Sequence, residues 1–150
     1  MEIIRAKPNE AASLSEIAFA AKRHWGYPEQ WMEIWRPDLT VTPDFISNHE
    51  TYNAVEKSQI VGFYALNQTD RQLDLVHLWV LPNRMGQGVG RLLFSHVLEH
   101  AKALEFRAVQ IESDPNAEGF YQRMGARRVG VNTHYVEQQK RELPLLISEV

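Results

Sequence analysis

Three glycines at alternate positions, Gly86, Gly88 and Gly90, constrain this chain more than any other feature. They lie in NRMGQGVGRLLFSHVLEHA, Asn83 to Ala101. Upstream, QLDLVHLWVL has the pattern of a strand. Strict alternation puts Leu73, Leu75, His77, Trp79 and Leu81 on one face and Val76, Leu78 and Val80 on the other. Both faces are largely apolar, which predicts a central place in a sheet. Pro82 ends the strand. Downstream, Val89, Leu92, Leu93, Val97, Ala101 and Leu104 recur at helical spacing. Glycine tolerates positive φ and lets backbone come close to a neighbour. The first amides of a helix lack internal partners and sit at the positive end of its dipole. Strand, glycine arc and helix together predict an anion site suited to phosphate or pyrophosphate.

Spacing excludes two known forms of such a site. A P-loop closes on Gly-Lys-Ser/Thr, but Gly90 is followed by Arg91 and Leu92. The dinucleotide fingerprint needs a third glycine where Arg91 stands. By itself the arc also fits a loop that only turns a tight corner.

The remaining elements surround this motif. EIIRAK is a short strand, and Pro8-Asn9 offers a helix start with Asn9 as its cap. Leu14, Ile17, Ala21 and Trp25 follow at helical spacing, and Gly26 closes that helix. Pro28 starts a second helix with Trp31 and Trp35 one turn apart, ended by Pro37. TYNAVEK and QIVGFYAL form a hairpin about Lys57-Ser58. RAVQIES is a strand, and NAEGFYQRMG is a short helix closed by Gly125. ARRVGV and ELPLLISEV are late strands separated by a polar connection. This order predicts an α+β or α/β-like three-layer fold, with helices on both faces of a sheet.

Composition bounds the rest. The 150 residues fit one domain, 1–150, and 44% hydrophobic content can supply its core. A net charge of -3 argues against a dedicated nucleic-acid binder. With no cysteine, disulfides and enzyme thiolates are excluded. No signal-peptide layout or membrane-length apolar run is present, so we expect a cytoplasmic protein with no membrane association. His96 and His100 stand one helical turn apart, but a third ligand is lacking and no metal is expected.

HLWVLPNRMGQGVGRLLF and IESDPNAEGFYQRMGAR, taken in that order, resemble the GNAT superfamily of acetyl-CoA-dependent N-acetyltransferases. The resemblance is strongest from Leu75 to Gly125, about a third of the chain. It implies a mixed, mostly antiparallel sheet with a V-shaped splay between two central parallel strands. It also implies acetyl-CoA as cosubstrate, its pyrophosphate held by Met85, Gly86, Gln87, Gly88, Val89, Gly90 and Arg91. Leu78, Trp79 and Val80 would run beside the pantetheine arm, with Asn116 hydrogen-bonding it and Phe120 packing on it. The sequence departs from the family at Met85, where Arg or Gln is usual. The grip would then come from backbone amides, with Arg84 or Arg91 as candidate compensating charges.

Acetyl transfer to an amine by direct attack through a tetrahedral intermediate needs a base for the amine and an acid for the leaving thiolate. The resemblance makes Tyr121 that acid. His77 and Glu112 are rival bases, and each also reads as an ordinary strand residue. Asp114 reads as a helix cap. Trp25, Tyr27 and Trp31 are candidates for the acceptor wall, against the alternative of core packing. His134 and Tyr135 lie in the polar connection near the C-terminus, a position that can reach the pocket mouth, with no role assigned. The acceptor would be a small-molecule amine, a peptide N-terminus or a lysine. A non-catalytic acyl-CoA sensor is the alternative. A homodimer through the late strands is compatible with the sequence, though no stretch specifies it.

Overall fold

The computed structural model describes residues 1–150. A seven-stranded sheet has the order β1-β2-β3-β4-β5-β7-β6. The strands are β1 (Glu2–Arg5), β2 (Glu50–Glu56), β3 (Gln59–Gln68), β4 (Leu73–Val80), β5 (Ala108–Glu112), β6 (Arg127–Val136) and β7 (Gln139–Glu149). The helices are α1 (Ala11–Arg23), α2 (Glu29–Leu39), α3 (Pro43–Asn48), α4 (Val89–Ala103) and α5 (Glu118–Arg123). Only β4 and β5 pair in parallel; every other pair is antiparallel. The α+β architecture and the splayed central pair match expectation.

Helices cover both faces. α4 buries Val89, Leu93, Phe94, Val97 and Ala101 against Val61, Tyr64, Leu73, Leu75 and Val109. Each buried Val, Leu or Phe among them contributes roughly 1.5–3 kcal/mol. On the other face Leu14, Ile17, Met32 and Ile46, from α1, α2 and α3, pack with Phe63. Lys57 and Ser58 have φ of 51° and 66°, the left-handed pair that a two-residue hairpin requires.

Four local expectations are corrected. First, β4 does not alternate strictly. Ala65 pairs with His77 and Leu66 with Leu75, leaving Val76 as a bulge. Beyond it the faces exchange: Leu73, Leu75 and Val80 share the α4 core, while Trp79 packs on the α1–α3 side. Second, Asn9 caps nothing. Pro8–Glu10 is a 3-10 turn, and the Glu10 carboxylate accepts from the Lys7 amide at 2.7 Å. Third, α2 runs through Pro37 to Leu39. Fourth, the polar connection is itself strand. β6 and β7 form one long hairpin turning at Glu137-Gln138, with His134 and Tyr135 inside β6.

Candidate functional site

β4 and β5 stay together for only two pairs, Asp74 with Gln110 and Leu75 with Ile111. The Val76 bulge bends β4 immediately beyond them. The strands then diverge, and a cavity of about 540 Å³ occupies the gap. Leu78, Trp79 and Val80 form one wall, and Met85, Gly86, Gly88, Gly90 and Arg91 lie at its mouth. Asn116, Phe120 and Tyr121 close it from the side of α5. Two segments far apart in sequence thus meet in one cleft.

The glycines have different reasons for being there. Gly86 and Gly88 adopt φ of 77° and 88°, with open space where a Cβ would stand. Their backbone conformation is what requires glycine. Gly90 is different: a Cβ would approach the Phe120 ring to 3.3 Å. The first helical hydrogen bond runs from the Leu92 amide to Gly88 O at 3.0 Å. The amides of residues 86 to 91 make no backbone hydrogen bond, so six consecutive donors stand at the positive end of a 15-residue helix. Gln87 and Val89 can contribute only these amides. The Gln87 side chain donates to Asn83 O, and Val89 is core.

Arg84 cannot compensate for Met85. Its guanidinium is paired with Glu56 at 2.7 Å and donates to Gln87 Oε1 at 3.0 Å. Arg91 and Arg123 do line the cavity and carry no ion pair. Nothing local in the sequence marks Arg123, whose approach depends on the turn of α5.

Asn116 is held in place by its neighbours. Its Nδ2 donates to Asp114 Oδ1 at 2.9 Å and to the Tyr27 hydroxyl at 3.1 Å, leaving Oδ1 without a protein donor. Asp114 caps the turn as expected, accepting from the Asn116 amide at 2.8 Å. It is also the hub of a cluster that the sequence did not reveal. Lys22 Nζ and the Tyr27 hydroxyl each donate to Asp114 Oδ2 at 2.8 Å. Arg141 Nη2 donates to the Tyr27 oxygen at 2.8 Å. Lys22 and Arg141 lie over the rings of Tyr27 and Trp35. Burial acts to raise the Asp114 carboxyl, but the Lys22 charge and the hydrogen bonds outweigh it and hold it below the ordinary value. Burial, reinforced by Asp114, pushes the Tyr27 phenol up to about 12. Burial lowers the Lys22 ammonium despite its partner.

Tyr121 is buried, and its hydroxyl has no hydrogen-bond partner within the protein although the residue lines the cavity. Burial, aided by the negative charge of Asp114, pushes its phenol above the ordinary value. It is therefore a protonated donor with its hydrogen uncommitted.

The rival bases differ in surroundings. The His77 ring packs against Phe45 and Phe63, and its Nδ1 accepts from the Trp79 indole at 2.9 Å. Burial, then His49, push it down to about 4. His77 lines the cavity, as expected of a candidate base, but its engaged Nδ1 and lowered proton affinity favour Glu112 for that role. Glu112, at the end of β5, lines the cavity and reaches two residues of β6. Its Oε2 accepts from Asn132 Nδ2 at 2.6 Å, and its Oε1 lies 3.0 Å from His134 Nε2.

Of the candidate acceptor aromatics, only Trp25 lines the cavity. Tyr27 and Trp31 do not. Tyr27 packs edge-on to Trp35 at 4.9 Å and is bound into the Asp114 cluster, and Trp31 stacks beyond it at 6.2 Å. Three aromatics spaced for helix packing took the packing role. His96 Nδ1 is engaged with the Tyr64 hydroxyl at 2.7 Å, and no metal-binding group of His, Cys, Asp or Glu forms. No helix is long and apolar enough to cross a membrane.

Known proteins with this arrangement define its class. The chain belongs to the GNAT acetyltransferase family, whose domain model, "Acetyltransferase (GNAT) domain", matches residues 27–138. Its general activity is thus that of a GNAT-family acetyltransferase. A peptidyl-lysine N-acetyltransferase, YjaB, of Salmonella typhimurium is 30% identical over 121 residues, covering 68% of this chain and 78% of that protein. A GCN5-related N-acetyltransferase from Rhodopseudomonas palustris superposes with a TM-score of 0.82 at 20% identity, over 99% of this chain and 95% of its own. The PaiA N-acetyltransferase of Thermoplasma acidophilum, solved with coenzyme A, gives 0.78 at 15% identity, over 99% and 98%.

Proposed function

We propose that the protein moves an acetyl group from acetyl-CoA to a primary amine, with Tyr121 as acid and Glu112 as base. One observation carries the reading: the amides of residues 86–91 lack backbone partners, and Gly86, Gly88, Gly90 and Arg91 among them line the same cleft as Tyr121, whose hydroxyl is uncommitted. The amides of residues 86–91, with Arg91 and Arg123, suit a pyrophosphate. Backbone of β4 left unpaired by β5 from Val76 onward suits an extended amide-bearing arm, as a strand partner would. Asn116 Oδ1 is free to accept from that arm, and Phe120 borders it. The PaiA neighbour, solved with coenzyme A, supports the same ligand here.

Bound acetyl-CoA supplies an activated thioester carbonyl. Glu112 takes a proton from the acceptor ammonium, leaving the electron pair on nitrogen for attack. Tyr121 gives its hydroxyl proton to the departing group. The chain has no cysteine nucleophile, which suits direct attack. Trp25 and the exposed Val76 offer the acceptor an apolar surface near Glu112. This favours a small amine with an apolar body. A lysine side chain, the acceptor named for the Salmonella relative, has the same character.

The test is thioester consumption with acetyl-CoA over simple amines, amino acids, polyamines and lysine peptides. Turnover with at least one class is expected. Binding of CoA, read as a rise in melting temperature, without turnover on any amine would leave a sensor.

A further inference from the structure

The β6–β7 hairpin brings two side chains to Glu112 that serve nothing else in the fold. Between Arg128 and Gly130 the register of β6 slips by one residue, so Val129 bulges. Cross-strand partners share a face of the sheet. Beyond the bulge Gly130, Asn132 and His134 pair with Leu145, Leu143 and Arg141. Leu145 in turn pairs with Glu112. Without the slip, Val131 and Thr133 would stand on that face, because a one-residue shift exchanges the faces. The bulge therefore delivers an amide and an imidazole to a carboxylate two strands away.

We infer that His134, with Asn132, is a positioning residue that holds the Glu112 carboxylate toward the acceptor. The inference rests on the reading of Glu112 as the amine's base. Asn132 Nδ2 holds Oε2 at 2.6 Å and His134 Nε2 lies 3.0 Å from Oε1. Oε2 is thereby hydrogen-bonded and Oε1 has the imidazole beside it, with the remaining lone pairs free. A carboxylate at a strand end otherwise samples several rotamers, and a base must be aligned with the proton it takes. No other charged group competes for His134. Arg141, opposite it on β7, turns its guanidinium to the Tyr27 oxygen at 2.8 Å, with Asp114 4.0 Å away. Glu142, its neighbour in register, pairs with Lys140 at 3.3 Å.

In the proton step, an ammonium N–H bond breaks and an O–H bond forms on Glu112. His134 and Asn132 keep their own protons throughout. The acceptor is recognised as a cation beside a fixed carboxylate, so the effect falls on the amine and not on acetyl-CoA.

The experiment compares wild type, His134→Ala, His134→Gln and Asn132→Ala/His134→Ala with an amine that wild type acetylates. His134→Ala is expected to lower kcat/KM for the amine about tenfold, and the double variant about 10²-fold. The KM for acetyl-CoA should stay within about twofold in all of them. His134→Gln, which keeps an N–H donor, should recover most of the loss. Unchanged kcat/KM in His134→Ala overturns the inference and leaves the acetyltransferase reading intact. So does a rise in acetyl-CoA KM that matches the loss, or a Gln variant no better than Ala. A wild type that acetylates no amine overturns both.

Discussion

The Trp79 indole donates to Nδ1 of His77 at 2.9 Å, which settles the tautomer of a histidine at the cleft. Indole nitrogen can only donate, so neutral His77 carries its proton on Nε2. Burial, then His49, push the ring down to about 4. Protonation therefore favours the unfolded chain, whose histidine titrates near 6.5. The stabilising effect is complete above about pH 6.5 and is lost as pH falls toward 4. Its size is on the order of 3 kcal/mol. His77→Gln should keep kcat/KM within about threefold and leave the acidic limb of the pH–rate profile in place. Urea unfolding at pH 7 and pH 4.5 should show a smaller acid-induced loss in that variant. A displaced acidic limb would favour His77 over Glu112 as the base.

Tyr121 makes the opposite case, a buried hydroxyl with nothing in the protein to bond. Tyr121→Phe removes one oxygen and leaves the packing with Phe94 and Phe120 intact. Turnover should fall about 10²-fold, the scale of a positioned acid, while the CoA-induced rise in melting temperature stays the same. Because burial raises the phenol, wild type should keep its acid form past pH 10, and no loss of turnover below that pH should trace to Tyr121. Steady-state kinetics with thermal shift measures both. Undiminished turnover would take Tyr121 out of the chemistry.

Most of the fold and the anion loop were legible, and the reasons for the gaps are specific. Gly88 and Gly90 announced a helix head, and DPNAEGFY announced the element that meets it. The Val76 and Val129 bulges were not legible, because a bulge costs one residue of register and carries no composition of its own. Those two slips decide that His77 leaves the α4 face and that His134 joins Glu112. Asp114 was readable as a cap, since a cap is local. Its partners Lys22 and Arg141 are 92 and 27 positions away, and only the tertiary fold joins them. Tyr27 and Trp31 had helical spacing that fits a pocket wall and a packed cluster equally.

Gly62 and Gly88 should respond differently to alanine. A Cβ on Gly62 would stand 2.8 Å from the Trp79 carbonyl oxygen and 3.1 Å from Leu93 Cδ1. The oxygen is backbone and cannot turn aside, so Gly62→Ala should cost roughly 1–3 kcal/mol by overpacking. Gly88 has open space but φ of 88°. Gly88→Ala should cost about 1–2 kcal/mol of backbone strain, or relax and misaim the amides behind it. Denaturant unfolding should rank Gly62→Ala as the less stable. CoA titration should show the larger loss of affinity in Gly88→Ala. The reverse ranking in the titration would mean that the loop's conformation does not set the grip.

Asp114 lines the cavity and is one carboxylate facing two cations, so its loss should be felt in both stability and binding. The side chains of Asp114, Lys22 and Arg141 are 8%, 13% and 11% exposed, so solvent does little to screen them. Asp114→Ala leaves Lys22 and Arg141 without their anion, and breaking a buried pair costs about 3–5 kcal/mol. Lys22→Met should cost less, because Arg141 and the Tyr27 hydroxyl still serve the carboxylate. Adding Lys22→Met to Asp114→Ala should recover part of the loss, since one stranded charge is removed. The pH dependence has the opposite window from that of His77. A carboxylate held below its unfolded value stabilises above about pH 4, and that contribution is lost as pH falls through the folded value. Acid unfolding of Asp114→Asn should lack that component. Asn116, which donates to both Asp114 and Tyr27, should lose its orientation in Asp114→Ala, so acetyl-CoA KM should rise even in the rescued double variant. Full recovery of both stability and KM on adding Lys22→Met would show that Asp114 serves only to neutralise Lys22.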